Sequence, residues 1–261
     1  MDVVIVPTPA EVGERAAEVT ARLLRAAGSE AVLGVATGSS PLGLYAGLAE
    51  RVRAGELDLS RASAFALDEY VGLPDGHPES YREVVRRTVT EPLGMDPARV
   101  HVPDGQAADL DAACVRYERA IAESGGVDVQ IVGVGVNGHI GFNEPATSLA
   151  SRTRVELLTD DTRRANSRFF ASIDEVPRRA VTQGLGTILD ARHVVLVATG
   201  SAKADAVTAV VEGPVGARRP GSVLQLHPEV TVVVDEEAAA GLELADYYCQ
   251  MTDAREALLG D

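Results

Sequence analysis

Short, continuous apolar runs recur along this chain and are separated by segments with helical spacing. A continuous run indicates a strand buried on both faces, because a strand with one wet face alternates apolar and polar residues. The runs occupy residues 3–6, 31–36, 62–67, 127–132, 194–199 and 230–234. Strands that alternate with helices predict an α/β fold, with a doubly wound, mostly parallel sheet flanked by helices in a Rossmann-like arrangement.

Helix boundaries are marked by capping residues. Thr8, Pro9 and Glu11 predict a capping box at the start of the first helix, and Gly28 predicts its end. Further helices are predicted at residues 81–89, from about 110 to 124, and at 238–259.

Residues 146 to about 187 differ in composition, since they are rich in Arg, Thr, Ser and Asp. This stretch is expected to be irregular or helical cover rather than sheet. No linker, repeat or low-complexity segment interrupts the chain. We therefore predict a single α/β catalytic domain over residues 1–261, with 146–187 as a lid-like insertion within it.

The chain is acidic, with 24 Lys and Arg against 39 Asp and Glu and a formal net charge of −15. This charge repels nucleic acid and anionic lipid, so neither is expected as a partner. The N-terminus lacks a signal-peptide pattern, and no apolar run reaches the roughly 20 residues that span a bilayer. A cytoplasmic location is expected. Cys114 and Cys249 lack the spacing of metal ligands and are expected to be buried, reduced thiols.

A glycine-rich loop at residues 133–145 follows the apolar run at 127–132 and carries one imidazole, His139, and one carboxylate, Glu144. Glycine permits backbone angles that other residues avoid and lets the chain approach a ligand closely. Taken alone, the loop also fits a simple turn with a surface histidine and glutamate.

Polar residues collect where four of the predicted strands end, at residues 37–40, 68–69, 137–139 and 199–203. Ligands of open parallel sheets bind beyond the carboxyl ends of the strands. These residues are therefore expected to meet at one site.

Three of these strand ends suggest particular chemistry. Gly38-Ser39-Ser40 precedes a helix and predicts a phosphate cradle, although a simple N-cap by either serine is the alternative. Lys203 is the only lysine in the chain, which indicates a need for a compact ammonium unless its position is chance. Asp68 ends an apolar strand, where desolvation raises the pKa of a carboxyl and makes it a usable base; a capping or solvated aspartate is the alternative.

Several motifs together resemble the glucosamine-6-phosphate deaminase family. They are residues 67–74 (LDEYVGLP), 77–81 (HPESY), 138–145 (GHIGFNEP), 148–154 (SLASRTR), 161–163 (DTR), 165–170 (ANSRFF) and 224–228 (LQLHP). The resemblance covers nearly the whole chain, and motifs of this length and order are highly specific.

The resemblance implies conversion of D-glucosamine 6-phosphate and water to D-fructose 6-phosphate and ammonia, in amino-sugar catabolism, with no cofactor and no metal. His139 would assist opening of the sugar ring, helped by Glu144 and Asn137. Asp68 would carry a proton from C2 to C1. The phosphate would be held by Gly38, Ser39, Ser40, Arg168 and Lys203. The partner is thus a small sugar phosphate, and the sequence leaves the oligomeric state open, a homo-oligomer included.

Two positions depart from the family pattern. Many members carry Asp where this chain has Asn137, so the imidazolium would be less stabilised and ring opening would depend more on Glu144. Members activated by N-acetylglucosamine 6-phosphate carry Arg-x-Lys-Thr where this chain has Arg154-Val155-Glu156-Leu157. The Glu156 carboxylate would repel that effector, so no activation is expected.

Two other functions compete with this interpretation. A hydrolase similar to 6-phosphogluconolactonase would share the fold and a Gly-His loop, but the segments at residues 68–70 and 142–145 argue against it. A sugar-phosphate sensor without turnover would fit an acid–base set weakened by Asn137. Retention of Asp68, His139 and Glu144 together argues against the sensor.

Overall fold

A computed structural model of the chain describes residues 1–259. Within them, ten strands form at Asp2–Val6 (β1), Val32–Val35 (β2), Ser63–Ala66 (β3), Asp68–Tyr70 (β4), Val100–His101 (β5), Val129–Gly133 (β6), Arg154–Leu157 (β7), Arg179–Thr182 (β8), His193–Ala198 (β9) and Val230–Asp235 (β10). The α-helices are Pro9–Ala27 (α1), Leu42–Arg53 (α2), Tyr81–Val85 (α3), Leu110–Glu123 (α4), Asp160–Asn166 (α5), Leu185–Leu189 (α6), Ala204–Val211 (α7), Glu236–Ala239 (α8) and Ala245–Leu259 (α9).

Seven strands form one parallel sheet in the order β1-β10-β9-β6-β2-β3-β5. After β2 the chain adds β3 and β5 on one side, and then returns to add β6, β9 and β10 on the other. Because crossovers between parallel strands are right-handed, this reversal puts the helices of the two halves on opposite faces. The predicted doubly wound parallel sheet is confirmed, and its topological switch point lies between β2 and β6.

The remaining three strands form a small antiparallel sheet in the order β4-β8-β7. The expectation that residues 146–187 would be cover rather than sheet is therefore wrong. Both missed strands are four residues long, and β7 carries charged residues at Arg154 and Glu156, so it lacks an apolar run. The strands form because β8 pairs with both β4 and β7, and these pairings join distant parts of the chain.

The first helix begins as predicted. Thr8 Oγ1 accepts the Glu11 N–H at 3.3 Å, Glu11 Oε2 accepts the Thr8 N–H at 2.9 Å, and Gly28 ends the helix with a φ of 96°. This reciprocal pair satisfies two N–H groups that the helix itself cannot bond.

Two other helix predictions need correction. The helix predicted at residues 81–89 is α-helical only over α3 and continues as a π-helical turn at Arg86–Thr90. The helix predicted at 238–259 is split into α8 and α9. Gly241 lies in the break, where a Cβ atom would stand 2.5 Å from Thr208 Oγ1 on α7. At this position, therefore, only glycine fits against α7.

The main core is built almost entirely from Val, Leu, Ile and Ala, as the absence of Trp predicts. Cys114 is buried as expected, but Cys249 on α9 is exposed, so the prediction of two buried thiols is wrong for Cys249. No helix within residues 1–259 is long and apolar enough to cross a bilayer.

Candidate active site

The ends of β2, β6 and β9 meet at the switch point. Gly38 has a φ of 87°, which glycine adopts readily. A Cβ atom on Gly133, at the end of β6, would lie 3.5 Å from the Ser40 Cβ. The Lys203 ammonium, after β9, donates to the Val134 carbonyl at 2.7 Å. Three strand ends predicted to converge are therefore in direct contact.

Positive charge gathers at the same place. Arg168 Nη2 donates to Ser39 Oγ at 3.3 Å, although 129 residues separate the two along the chain. Burial lowers the pKa of Lys203, and the nearby charge of Arg168 lowers it further. Arg168 and Lys203 thus stand close together in a chain of net charge −15. Two cations, a serine hydroxyl and a glycine turn form a group that suits a phosphate.

Asp68 is the first residue of β4 and is buried, with 5% of its surface exposed. Burial raises the pKa of its carboxyl to about 8, and the charge of Glu69 adds to the effect. A Cβ atom on Gly141, whose φ is 55°, would lie 3.6 Å from Asp68 Oδ2. The Asp68 carboxylate therefore faces the loop that carries His139, two residues before Gly141.

The Glu69 carboxylate binds backbone N–H groups instead of facing the His139 loop. It accepts the backbone N–H groups of Tyr70, Tyr81 and Arg82 at 2.8 to 2.9 Å. Tyr81 and Arg82 begin α3, so Glu69 satisfies N–H groups that this helix leaves free. The acidic pair at the end of the third apolar run thus divides into one carboxylate toward the His139 loop and one helix cap.

The His139 ring lies directly on the backbone of Gly135. A Cβ atom at Gly135 would stand 2.3 Å from the His139 Cε1, closer than any real contact, so only glycine fits beneath the ring. The loop is closed by two backbone bonds, from Gly135 N–H to the His139 carbonyl and from Gly138 N–H to the Gly135 carbonyl, both 2.8 Å. The glycines that mark this loop in the sequence have a steric reason.

Glu144 uses its two carboxylate oxygens in two directions. Oε2 accepts from Asn137 Nδ2 at 2.8 Å and lies 3.5 Å from His139 Nδ1, a separation typical of an ion pair rather than of a hydrogen bond. Oε1 accepts the hydroxyls of Thr159, at 3.1 Å, and Thr162. Burial disfavours the charged form, but the His139 ring, Thr162 and Asn137 outweigh it and hold the pKa of Glu144 at about 2. The carboxylate is therefore ionised at every physiological pH.

Asn137 forms hydrogen bonds within the loop but none with the imidazole ring of His139. Its Oδ1 accepts the backbone N–H of His139 at 3.1 Å, while its Nδ2 donates to Glu144. The His139 Nδ1 itself is buried and has no hydrogen-bond partner in the described structure. Glu144 is thus the carboxylate that pairs with the ring, at 3.5 Å.

Three residues that support the site were not predicted. Thr159 and Thr162 contact Glu144. The sequence signals for them are a threonine before the acidic start of α5 and the DTR motif at residues 161–163, which contains Thr162. Asp235 ends β10 with 1% of its surface exposed, and both of its oxygens accept the Gly200 N–H. Asp235 follows an apolar run at the same edge of the sheet, so inspection of that last strand end would have found it.

Cavities and metal ligands do not define the site. A cavity of about 220 Å³ is lined by Glu69, Tyr70 and Arg82, among others, but neither by Asp68 nor by the His139 loop. Within residues 1–259, no cluster of three or more His, Cys, Asp or Glu side chains has the geometry to hold a metal ion. The candidate site is defined by the contacts between strand ends.

Comparisons with known proteins identify the family. A family described as glucosamine-6-phosphate isomerases/6-phosphogluconolactonase matches residues 7–233. The glucosamine-6-phosphate deaminase of Pseudarthrobacter chlorophenolicus is 57% identical over 100% of both chains. The enzyme of that name from Streptomyces coelicolor is 59% identical over 95% of both chains.

Solved structures give the same result. A structure described as a monomeric glucosamine-6-phosphate deaminase superposes with a TM-score of 0.89 at 41% identity, over 92% of this chain and 100% of that chain. The 6-phosphogluconolactonase of Trypanosoma brucei has a TM-score of 0.73 at 19% identity, over 92% of this chain and 98% of that chain, and shares the fold alone. The chain belongs to the glucosamine-6-phosphate isomerase/6-phosphogluconolactonase family.

Proposed function

We propose that this chain is a glucosamine-6-phosphate deaminase, which converts D-glucosamine 6-phosphate and water to D-fructose 6-phosphate and ammonia. Full-length relatives with that name, at 57% identity, support the activity. The observation that carries it within the molecule is the approach of Asp68 to Gly141, in the loop that holds His139. Aldose–ketose chemistry needs a base near C1 and C2 and a second acid–base group at the ring oxygen, and these two residues supply them.

His139 opens the sugar ring in this proposal. An imidazole titrates near neutrality and can move the proton between the anomeric hydroxyl and the ring oxygen. The ionised Glu144, 3.5 Å from Nδ1, stabilises the charged imidazolium that forms during the transfer. Asn137 holds Glu144 and the His139 backbone in register.

Asp68 transfers the proton between carbons in this proposal. Its carboxylate takes the C2 proton of the open-chain aldehyde while O1 gains a proton, which leaves an enolamine. Asp68 then returns its proton to C1 as the amine gives up one N–H proton, so the net change moves one hydrogen from C2 to C1 and one from nitrogen to O1. The product is a 2-imino sugar with a C1 hydroxymethyl group, and water hydrolyses the imine to the ketone and ammonia. The raised pKa of Asp68 supports this role, because a carboxylate with a pKa near the working pH is a stronger base than an ordinary aspartate.

The phosphate is held at the switch point in this proposal, by Gly38, Ser39, Ser40, Arg168 and Lys203. The support is the contact of Arg168 with Ser39 and of Lys203 with the Val134 carbonyl. Residues 146–187 contribute Arg168 and act as a lid over the sugar, within one catalytic domain.

The regulatory proposal concerns Arg154. Its Nη2 lies 2.5 Å from Glu156 Oε2 and donates to Thr147 Oγ1 at 2.8 Å. An anionic effector would have to displace Glu156 to reach this guanidinium. We therefore expect N-acetylglucosamine 6-phosphate not to activate this enzyme.

One incubation tests the activity. The purified chain is mixed with glucosamine 6-phosphate, and ammonia and fructose 6-phosphate are measured beside the Asp68→Asn variant. Equal amounts of both products, lost in the variant, support the proposal. Binding of glucosamine 6-phosphate without ammonia would instead indicate a sensor, and hydrolysis of 6-phosphogluconolactone without deamination would indicate the lactonase alternative.

A further inference from the structure

The Glu144 carboxylate contacts two different segments of the chain. Its Oε2 faces Asn137 and His139, in the glycine-rich loop after β6. Its Oε1 receives the hydroxyls of Thr159 and Thr162, at the start of α5. The same carboxylate therefore ends one hydrogen-bond network and begins the other.

Thr162 is the better placed of the two donors. It is buried, with 6% of its surface exposed, and its hydroxyl lies closer to Oε1 than that of Thr159 does. The Thr159 oxygen is shared, because it also caps α5 by accepting the Thr162 N–H at 3.2 Å and lies 3.1 Å from the Thr162 hydroxyl. A hydroxyl has one proton to donate, so Thr162 is the committed partner of Glu144.

The bond on Oε1 decides where Oε2 points. A carboxylate rotates about its last single bond unless both oxygens are held. With Oε1 bonded to Thr162, Oε2 is directed at Asn137 and His139. Loss of the Thr162 hydroxyl would leave Oε1 buried without its nearest donor, a costly state that rotation of the carboxylate would relieve.

The helix that presents Thr162 also leads to the phosphate contact. The α5 helix ends at Asn166, and Arg168 follows two residues later and bonds to Ser39. One short helix therefore sets both the orientation of Glu144 and the position of a cation at the proposed phosphate site.

We infer that Thr162 is a positioning residue for ring opening, which acts through Glu144 on His139 and links that step to the seating of α5. The inference rests on the proposed deaminase function. Thr162 does not touch the sugar; it holds the carboxylate that stabilises the imidazolium. Removal of its hydroxyl should slow turnover more than it weakens binding of a substrate that needs no ring opening.

Thr162→Val tests this inference, with Thr162→Ser as the variant that restores the hydroxyl. Thr187→Val is a matched control, because Thr187 is a buried threonine that donates to another carboxylate, Glu118, at 2.6 Å. The measurements are kcat for ammonia release and the Kd of the reduced, open-chain amino sugar alcohol phosphate. If Thr162→Val does not fold, Thr162→Ala lacks the same hydroxyl and replaces it.

Thr162→Val is expected to lower kcat by about 10- to 100-fold, the range expected from loss of one hydrogen bond to a charged group. The Kd of the open-chain analogue should change by less than about 3-fold, and Thr162→Ser should recover most of the turnover. Thr187→Val should leave kcat within about 2-fold of the wild-type value.

Two results would overturn the role of Thr162 while the deaminase assignment stands: a kcat for Thr162→Val as high as that for Thr187→Val, or equal losses in kcat and in analogue binding. A wild-type protein that releases no ammonia would overturn the proposed function, and the role of Thr162 with it.

Discussion

The Asp235 carboxylate accepts the Gly200 N–H on both of its oxygens, at 2.9 and 3.0 Å. Gly200, with a φ of 83°, accepts in turn the backbone N–H of Lys203 at 3.0 Å. The buried carboxylate at the end of β10 thus fixes the turn after β9 from which the only lysine extends.

Asp235→Asn should weaken phosphate binding. The asparagine amide offers one acceptor oxygen instead of two, so the turn loosens and Lys203 loses its fixed starting point. We expect KM for glucosamine 6-phosphate and the inhibition constant of inorganic phosphate both to rise by about 10-fold, as for loss of a charge-assisted bond. Glu237→Gln is the control, because Glu237 accepts the neighbouring Ser201 N–H at 3.2 Å from an exposed position. Equal effects of the two substitutions would contradict this explanation.

The pH profile should report on Asp68. The base must be ionised to take the C2 proton, and its pKa is raised to about 8. The value of kcat/KM should therefore increase with pH up to about 8, after correction for ionisation of the free sugar phosphate. Asp68→Asn should lower kcat by about 10²- to 10⁴-fold and abolish this limb. A wild-type profile that is already flat from pH 6 upward would show that Asp68 is not the group that titrates.

Asp68 should also lower the stability of the fold as pH rises from about 4 to about 8. An aspartate in the unfolded chain ionises near 3.9, whereas folded Asp68 keeps its proton until about pH 8. Between these values the unfolded chain has lost a proton that the folded chain retains, so the free energy of unfolding falls as pH rises. Asn carries no such penalty. Asp68→Asn should therefore be more stable than the wild type at pH 8 by up to about 5 kcal/mol, with the difference shrinking toward pH 4. Urea unfolding at both pH values measures it, and a difference that is independent of pH would contradict it.

Substitutions of Asn137 should separate two effects on His139: orientation of the loop by hydrogen bonds, and stabilisation of the imidazolium by a nearby negative charge. Asn137→Ala removes both the donor to Glu144 and the acceptor for the His139 N–H, and should lower kcat by about 10-fold. Asn137→Asp keeps the acceptor but places a second carboxylate beside Glu144, and the charged imidazolium offsets part of the repulsion. The aspartate variant should therefore retain more activity than the alanine variant. Unchanged kcat in both variants would show that residue 137 has no role in ring opening.

Rates measured against substrate concentration should not respond to N-acetylglucosamine 6-phosphate. Glu156 already neutralises Arg154, so the effector gains no cation without breaking that pair. Glu156→Ala leaves Arg154 accessible and should allow weak anion binding there, detected by calorimetry. A sigmoidal wild-type rate curve that the compound makes hyperbolic would refute this expectation.

The sequence was informative wherever a property could be seen locally. Continuous apolar runs predicted the parallel sheet because burial on both faces requires apolar residues at every position. Polar residues at the ends of these runs predicted that the strand ends meet, since those of such a sheet lie along one edge, and Lys203 after β9 does contact Val134 after β6. Arg168, which contacts Ser39, was named only through the family resemblance.

What the sequence did not reveal depends on partners distant along the chain. The strand β7 is charged and only partly buried, and it exists because it pairs with β8. Thr162 lies in the DTR motif, but its contact with Glu144, 18 residues earlier, could be found only in the folded chain. Cys249 lies in a helical stretch that predicted burial, yet its side chain faces outward.

The pairing of Asp68 with Thr182 has a consequence for protein engineering. In the small sheet, β4 bonds only to β8, and β8 lies within residues 146–187, the predicted lid-like insertion. A shortened protein without residues 146–187 would lose the backbone that pairs with Asp68, the proposed base. A chimera should therefore exchange β4 and residues 146–187 together, because β4 and β8 each form as a strand only when paired with the other.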